Sequence, residues 1–270
     1  DRPLNVRFAG QAVDTPVAIP LSRGWNLISS PFVSPVPWSL LGIRVRRGTE
    51  ERTLAGASVA GWISDYAWGW QRDAQDPNAG AYVLIYDHWI IPGTASQLEP
   101  WRSYWVKAKE ACTLILPPPQ ASRARSRARA DETAGWSARL RVQTPGDASE
   151  VLLGVRSDGR GLSVGQPPDA PSQEARVRAS LVGSTGPLAI DLRQGAARRQ
   201  EWGLLVETAA GDGGPVETVV TWPDLRALPK DIRLYLEDTV SDTRRYLRTT
   251  PEYRYQSQGG TRRFRIVAEA

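Results

Sequence analysis

The most regular signal along this chain is a two-residue alternation of apolar and polar side chains in short runs. In Trp136-Ser137-Ala138-Arg139-Leu140-Arg141-Val142-Gln143 every apolar residue falls on one face of an extended strand and every polar one on the other. That is the pattern of a strand with one side on a core and one side in water. Leu4-Asn5-Val6-Arg7-Phe8 alternates in the same way. Strand-forming runs recur at Trp25-Asn26-Leu27-Ile28, Ala81-Tyr82-Val83-Leu84-Ile85-Tyr86, Tyr104-Trp105-Val106-Lys107-Ala108-Lys109 and Cys112-Thr113-Leu114-Ile115-Leu116. The last two predict a hairpin turning at Glu110-Ala111. Later strands are predicted at 151–155, 176–181, 188–192, 202–207, 218–222, 232–238, 253–256 and 263–267, with Gly-, Pro- or Asp-containing turns between them. Eight or nine short strands spaced in this way predict a sandwich. The helical period is confined to one or two turns expected at Trp38-Ser39-Leu40-Leu41.

The alternation breaks at Pro117-Pro118-Pro119, and the stretch that follows holds no large apolar residue able to anchor a core. The fold expected is therefore all-β, with two β-sandwich-like domains joined by a Pro/Ala/Arg/Ser linker: residues 1–119, Trp-rich; 120–135, the linker; and 136–270. Arg123, Arg125, Arg127 and Arg129 alternate along the linker. They could clasp an anionic surface, although a solvated, self-repelling spacer is the plainer reading.

Charge narrows the partners. The 270 residues carry a net +5. Residues 1–119 hold 11 basic and 10 acidic groups and residues 136–270 hold 19 and 17, so neither half concentrates the positive charge that displaces counterions from nucleic acid. No nucleic-acid partner is expected. No apolar run reaches the roughly 18 residues of a spanning helix, and the chain opens at Asp1 without a basic-then-apolar leader, which reads as soluble and already processed.

A single cysteine, Cys112, and a single histidine, His88, exclude an internal disulfide, Cys/His zinc sites and HExxH metallopeptidases. No cofactor is expected. Cys112 reads as a small buried hydrophobe, and His88 as an interface or strand-end residue without a G-x-S-x-G partner motif. Asp73, Asp76 and Asn78 form an oxygen-rich cluster. Its spacing is not that of an EF-hand, so a turn is the plainer reading and calcium a weak candidate. Gly211-Asp212-Gly213-Gly214 reads as a hairpin loop, without the strand-to-helix context of a phosphate cradle.

Eleven tryptophans remain, eight of them before the linker. Trp25 and Trp105 sit in strand runs and are expected in the core. Trp62, Tyr66, Trp68 and Trp70 fall at two-residue steps, so an extended segment would place all four on one side. They form the candidate contact patch, for interface packing or for stacking on sugar rings.

Gly24-Trp25-Asn26-Leu27-Ile28-Ser29-Ser30-Pro31-Phe32, with Leu98-Glu99-Pro100-Trp101-Arg102-Ser103-Tyr104-Trp105-Val106 downstream, resembles the GWNLI/YWV β-modules of secreted bacterial surface proteins; Ser103 stands where that pattern has glycine. The second half, through Leu234-Tyr235-Leu236-Glu237-Asp238 and Gly260-Thr261-Arg262-Arg263-Phe264, is similar to the C-terminal immunoglobulin-like sandwich of exported multidomain proteins. The resemblance implies export to the cell surface or beyond and a role in surface, matrix or assembly. It carries over no active site.

The function expected is that of a non-enzymatic, exported structural or adhesive protein, such as the repeating subunit of an extracellular filament or surface layer. Its partners would be copies of itself or other surface proteins, with Leu4, Val6 and Phe8 as the strand offered to a neighbouring sheet edge. The alternative is a carbohydrate-binding module using Trp62, Tyr66, Trp68 and Trp70. A third reading, a secreted hydrolase with paired carboxylates, has no motif behind it.

Overall fold

A computed structural model describes residues 13–72, 80–87, 94–119, 135–156, 161–168, 177–184, 186–195, 197–209, 214–226 and 228–270. The protein is all-β, with 21 strands and one six-residue helix among the described residues. None of its helices is long and apolar enough to cross a membrane, within the same residues. The chain divides into two compact units, Asp1–Ala130 and Asp131–Ala270. Of the predicted linker only Gly135 is described, so Arg123, Arg125, Arg127 and Arg129 lie outside the described residues. The same holds for Leu4, Val6 and Phe8.

The first unit runs β1 (Val17–Leu21), β2 (Gly24–Ser29), β3 (Val36–Pro37), β4 (Arg44–Arg47), β5 (Glu50–Thr53), α1 (Leu54–Val59), β6 (Ile63–Arg72), β7 (Gly80–Ile85), β8 (Gln97–Leu98), β9 (Ser103–Ala108) and β10 (Cys112–Leu116). Two antiparallel sheets, β1-β10-β4-β5 and β2-β9-β6-β7, enclose one core, and β3 pairs with β8 beside them. Leu114, Leu116 and Val45 reach into that core from the first sheet, and Ile28, Tyr104, Val106 and Ala67 from the second. The expected hairpin of β9 with β10 is not formed, because the two strands belong to different sheets. At the Glu110-Ala111 turn the chain crosses over, held by Lys109 N and Glu110 N, which donate to Trp62 O at 2.8 and 3.1 Å. Both strands bury alternate residues, and that pattern serves a crossing between layers as well as it serves a hairpin.

The helical turn expected near 38–41 forms as a single turn, Ile43 N donating to Ser39 O at 3.0 Å, and the regular helix lies elsewhere. Trp38 is fully buried and its Nε1 donates to Asp65 O at 2.8 Å, while the helix forms at Leu54–Val59. There Thr53 caps it, its hydroxyl accepting from Gly56 N at 3.1 Å, which satisfies one of the donors a helix start leaves open.

The second unit contains β11 (Trp136–Thr144), β12 (Asp147–Arg156), β13 (Leu162–Gly165), β14 (Val177–Gly183), β15 (Gly186–Gln194), β16 (Arg199–Thr208), β17 (Val216–Thr221), β18 (Arg233–Asp238), β19 (Thr243–Tyr246), β20 (Glu252–Ser257) and β21 (Gly260–Glu269). They form one folded sheet in the order β19-β18-β21-β16-β14-β15-β12-β11-β17-β20, with β13 alongside β15. The bend lies at β15. Its residues 186–188 pair with β14, and 190–194 pair in parallel with β12. A strand at such a corner has protein on both sides, which accounts for the unbroken buried run from Leu188 to Leu192. Folding the sheet there brings Trp202, Leu204, Phe264 and Ile266 against Leu140, Leu153 and Val220 in a single core.

Gly214, the described end of the Gly211–Gly214 stretch, leads from β16 into β17. Those strands do not pair, so the expected hairpin loop is a crossing between the two halves.

The two ends of the sheet meet at Asp238 on β18, whose side chain is 1% exposed. It accepts from Arg262 of β21 (Nη2 2.5 Å), from the Tyr253 hydroxyl of β20 (2.6 Å), from Ser241 Oγ (2.9 Å) and from Val240 N (3.0 Å). Beside it the Thr208 and Ser257 hydroxyls of β16 and β20 share a buried bond of 2.6 Å. Burial pushes the Asp238 carboxyl up, but Arg262, Tyr253 and the Val240 amide outweigh it and bring it down to about 2.

Candidate functional site

The outward face of β2-β9-β6-β7 is where the first unit departs from an ordinary wet strand surface. Register fixes which residues lie there. Trp68 of β6 is opposite Trp105 of β9 and Leu84 of β7; Leu27 of β2 is opposite Trp105; Trp70 is opposite Tyr82; and Trp25 is opposite Lys107. The intervening residues, Ala67, Tyr104 and Val106, point into the core. A face that alternation would leave polar is therefore built of indole and phenol rings.

Two glycines make room for it. A β-carbon on Gly80 would lie 2.6 Å from the Trp70 ring, so the indole lies down over a position that must lack a side chain. Its centroid is 5.0 Å from the Tyr82 ring in an edge-to-face contact. On the inner side, a β-carbon on Gly69 would come within 3.1 Å of Tyr104. The Tyr104 hydroxyl, pointing out of the core, accepts from Glu99 N at 2.6 Å and holds the loop that enters β9. That loop carries Trp101, which is 79% exposed with a φ of 62°, a left-handed conformation uncommon for a bulky side chain.

The four aromatics expected to share one surface do not share it. β6 shifts register at a bulge between Ile63 and Ala67, where four steps along β6 answer two along β9, so Ile63 and Ala67 both keep facing the core. Trp62 lies before the strand, next to Gly61 at φ 77°, and joins the core from there, walled by the guanidiniums of Arg52 and Arg47 at 4.9 and 6.0 Å. Tyr66 and Trp68 lie outside that core, in edge-to-face contact at 6.4 Å, yet each is only 6% exposed. Trp70, at 38%, is the open member of the set. Trp25 and Trp105, expected in the core, are the converse case: both are outward and half-buried. Lys107 Nζ sits 5.4 Å from the Trp25 ring centroid, in reach of a cation–π attraction. Leu27, beside them, is 57% exposed.

His88, Asp73, Asp76 and Asn78 lie outside the described residues. Cys112 is buried, and burial pushes its thiol above the ordinary range against the pull of Arg47. Within the bulge, burial likewise raises the Asp65 carboxyl, opposed by a hydrogen bond with its own backbone, by Lys109 and by Tyr86. Among the described residues no cluster of three or more His, Cys, Asp or Glu could hold a metal ion. No protein-family model, curated protein or solved structure matches the chain.

Proposed function

We propose that this chain is a non-enzymatic, exported structural or adhesive protein in which the first unit makes the contacts and the second is a solvated module. The observation that carries the reading is the outward aromatic face of β2-β9-β6-β7, with Leu27 and Trp70 open to solvent. A large apolar surface on a folded unit marks a place where something else is bound, and Trp and Tyr are the residues that interfaces favour.

The same surface bears on a filament. Val182 and Val240 are the exposed large hydrophobics described in the second unit, so its described residues offer the aromatic face no broad apolar counterpart. Self-association through this face is then face to face, which closes at a dimer; a repeating subunit needs a second, different contact to propagate.

The test is to mix the purified full chain with cell-envelope material and, separately, to follow its sedimentation over rising concentration. Envelope attachment or self-association is expected, and Trp70→Ala should weaken it about tenfold, the worth of one well-packed aromatic. A chain that stays monomeric and ignores the envelope overturns the reading, as does hydrolytic turnover of a glycan or peptide.

A further inference from the structure

We propose that the outward face of β2-β9-β6-β7 binds an acidic polysaccharide, a polymer of sugar rings bearing carboxylates. The proposal rests on reading the first unit as the adhesive part of the protein and names what it adheres to. Its foundation is the combination of the open Trp70 ring, flanked by half-buried Trp25 and Trp105, with cations that have no carboxylate partner among the described residues.

Trp70 presents one side of its indole to solvent because Gly80 and Tyr82 support the other. Flat rings of this kind pack against the C–H faces of sugars, and their apolar area is gained without burying a charge. Polar partners lie within the same surface: the hydroxyls of Ser29 and Ser103 are exposed and 3.0 Å apart. Each can turn to donate or to accept, as a sugar hydroxyl requires.

Cations prevail on this face, although Glu99 and Asp87 lie in the loops that flank its strands. Lys107 stands on it, Arg23 is in the turn that enters β2, and Arg102 directly precedes β9. All three are exposed, and no carboxylate pairs with any of them among the described residues. The single acidic residue of the four strands, Asp65, is in the bulge, engaged with Tyr86 and Lys109. The second unit treats its cations in the opposite way, with Arg199, Arg244, Arg254 and Arg265 each bonded to two glutamates. Cations at both ends of β9, Arg102 toward Trp70 and Lys107 against Trp25, are complementary to an extended anionic polymer with apolar faces.

Two other occupants fit less well. A second copy docked face to face would bring Lys107 toward a surface that is itself cationic, a like-charge approach that interfaces avoid. Single-stranded nucleic acid also stacks on aromatics, but it needs a groove of positive charge to follow its phosphates. Residues 1–119, with 11 basic and 10 acidic groups, do not supply one.

The experiment is affinity electrophoresis of the full chain through gels containing polygalacturonate or, as the uncharged control, its full methyl ester. The expected result is retardation by the acid alone, falling as salt is raised. Trp70→Ala should weaken it about tenfold and Lys107→Gln about threefold, equivalent to one aromatic contact and one exposed charge contact. Lys107→Gln should unfold at the wild-type midpoint, and Trp70→Ala, which loses its contact with Tyr82, should unfold in a single transition at a slightly lower one. The proposal is overturned by the absence of retardation, by equal retardation in the ester, or by retention that neither variant changes. It is also overturned if an oligonucleotide is bound through the same residues in place of the acid, or if Trp70→Ala abolishes a dimer instead. Envelope attachment that survives without polygalacturonate binding would defeat this proposal and leave the adhesive reading standing.

Discussion

The outward sheet faces of the two units answer the same structural demand with opposite chemistry. In the second unit the wet face of β19-β18-β21-β16 carries a closed ring of alternating charge: Arg244 to Glu237 (3.3 Å), Glu237 to Arg265 (3.1 Å), Arg265 to Glu201 (3.4 Å), Glu201 to Arg199 (2.7 Å), Arg199 to Glu269 (2.5 Å) and Glu269 back to Arg244 (2.9 Å). On the other half of that sheet Arg139 and Arg141 share Glu150, and Arg254 joins Glu252 to Glu217. Such a surface is satisfied by itself and by water. The corresponding face in the first unit is aromatic, and that unit holds seven of the nine large hydrophobics exposed among the described residues. Both faces sit on alternating strands over a closed core. The fold needs only the inner halves, so on the proposed reading the difference between the outer ones concerns partners.

The largest expected effect breaks the second unit where its sheet closes. Asp238→Ala would leave Arg262, 23% exposed, without its counter-charge and Tyr253 and Ser241 without their acceptor, at a cost of about 3 kcal/mol, the low end for breaking a buried pair. Urea unfolding of the full chain should show it as loss of stability in the second unit, while binding through the first persists. The pH dependence has a definite sign. The Asp238 carboxyl is lowered from 3.8 unfolded to about 2 folded, so its stabilisation is complete above pH 4 and is lost as the pH falls from there through 2. Acid unfolding of Asp238→Asn should lack that window. An unchanged acid profile would mean that closure rests on Tyr255, Phe264 and their neighbours.

Much of this architecture could be read directly from the chain, and the failures have identifiable causes. Runs with strict alternation marked their strands closely: Cys112–Leu116 matches to the residue and Trp136–Thr144 to within one. Partner choice was not encoded in the same pattern. β9 and β10 alternate as a hairpin would and yet belong to different layers. Short charged strands such as Thr243–Tyr246 and Arg44–Arg47 have little apolar signal of their own, since their neighbours do the burying. For the candidate site, the aromatic residues of β6 were visible but their facing was not. Apolar periodicity does not show where β6 begins, so Trp62, in the turn before it, could not be separated from Trp70 within it. Trp105 was misplaced because Tyr104 and Val106 are equally apolar neighbours. The useful signal was Gly69, a small residue set between Trp68 and Trp70, whereas Gly80, between two alanines, gave none.

An intermediate effect comes from making the first face resemble the second. Leu27→Glu puts a carboxylate beside Trp105 and within reach of Lys107, at a position 57% exposed. Its effect on folding should stay within about 0.5 kcal/mol, as for other surface changes. Attachment to envelope material should fall at least as far as with Trp70→Ala, since an acidic partner would now meet a like charge. Wild-type attachment in this variant would show that the partner avoids β2 altogether.

The smallest effect should come from the ring of charge itself. Arg199, Arg244 and Arg265 are 45–48% exposed, so solvent screens their ion pairs strongly. Removing one pair member should cost no more than about 1 kcal/mol. A double-mutant cycle on Arg265→Ala and Glu201→Ala measures the pair directly, and its coupling energy should shrink further in salt. A large, salt-resistant coupling would make the ring a structural clasp comparable with Asp238. A small one means that the ring keeps the second unit's face wet, which on the proposed reading leaves the aromatic face of the first unit as the contact surface among the described residues.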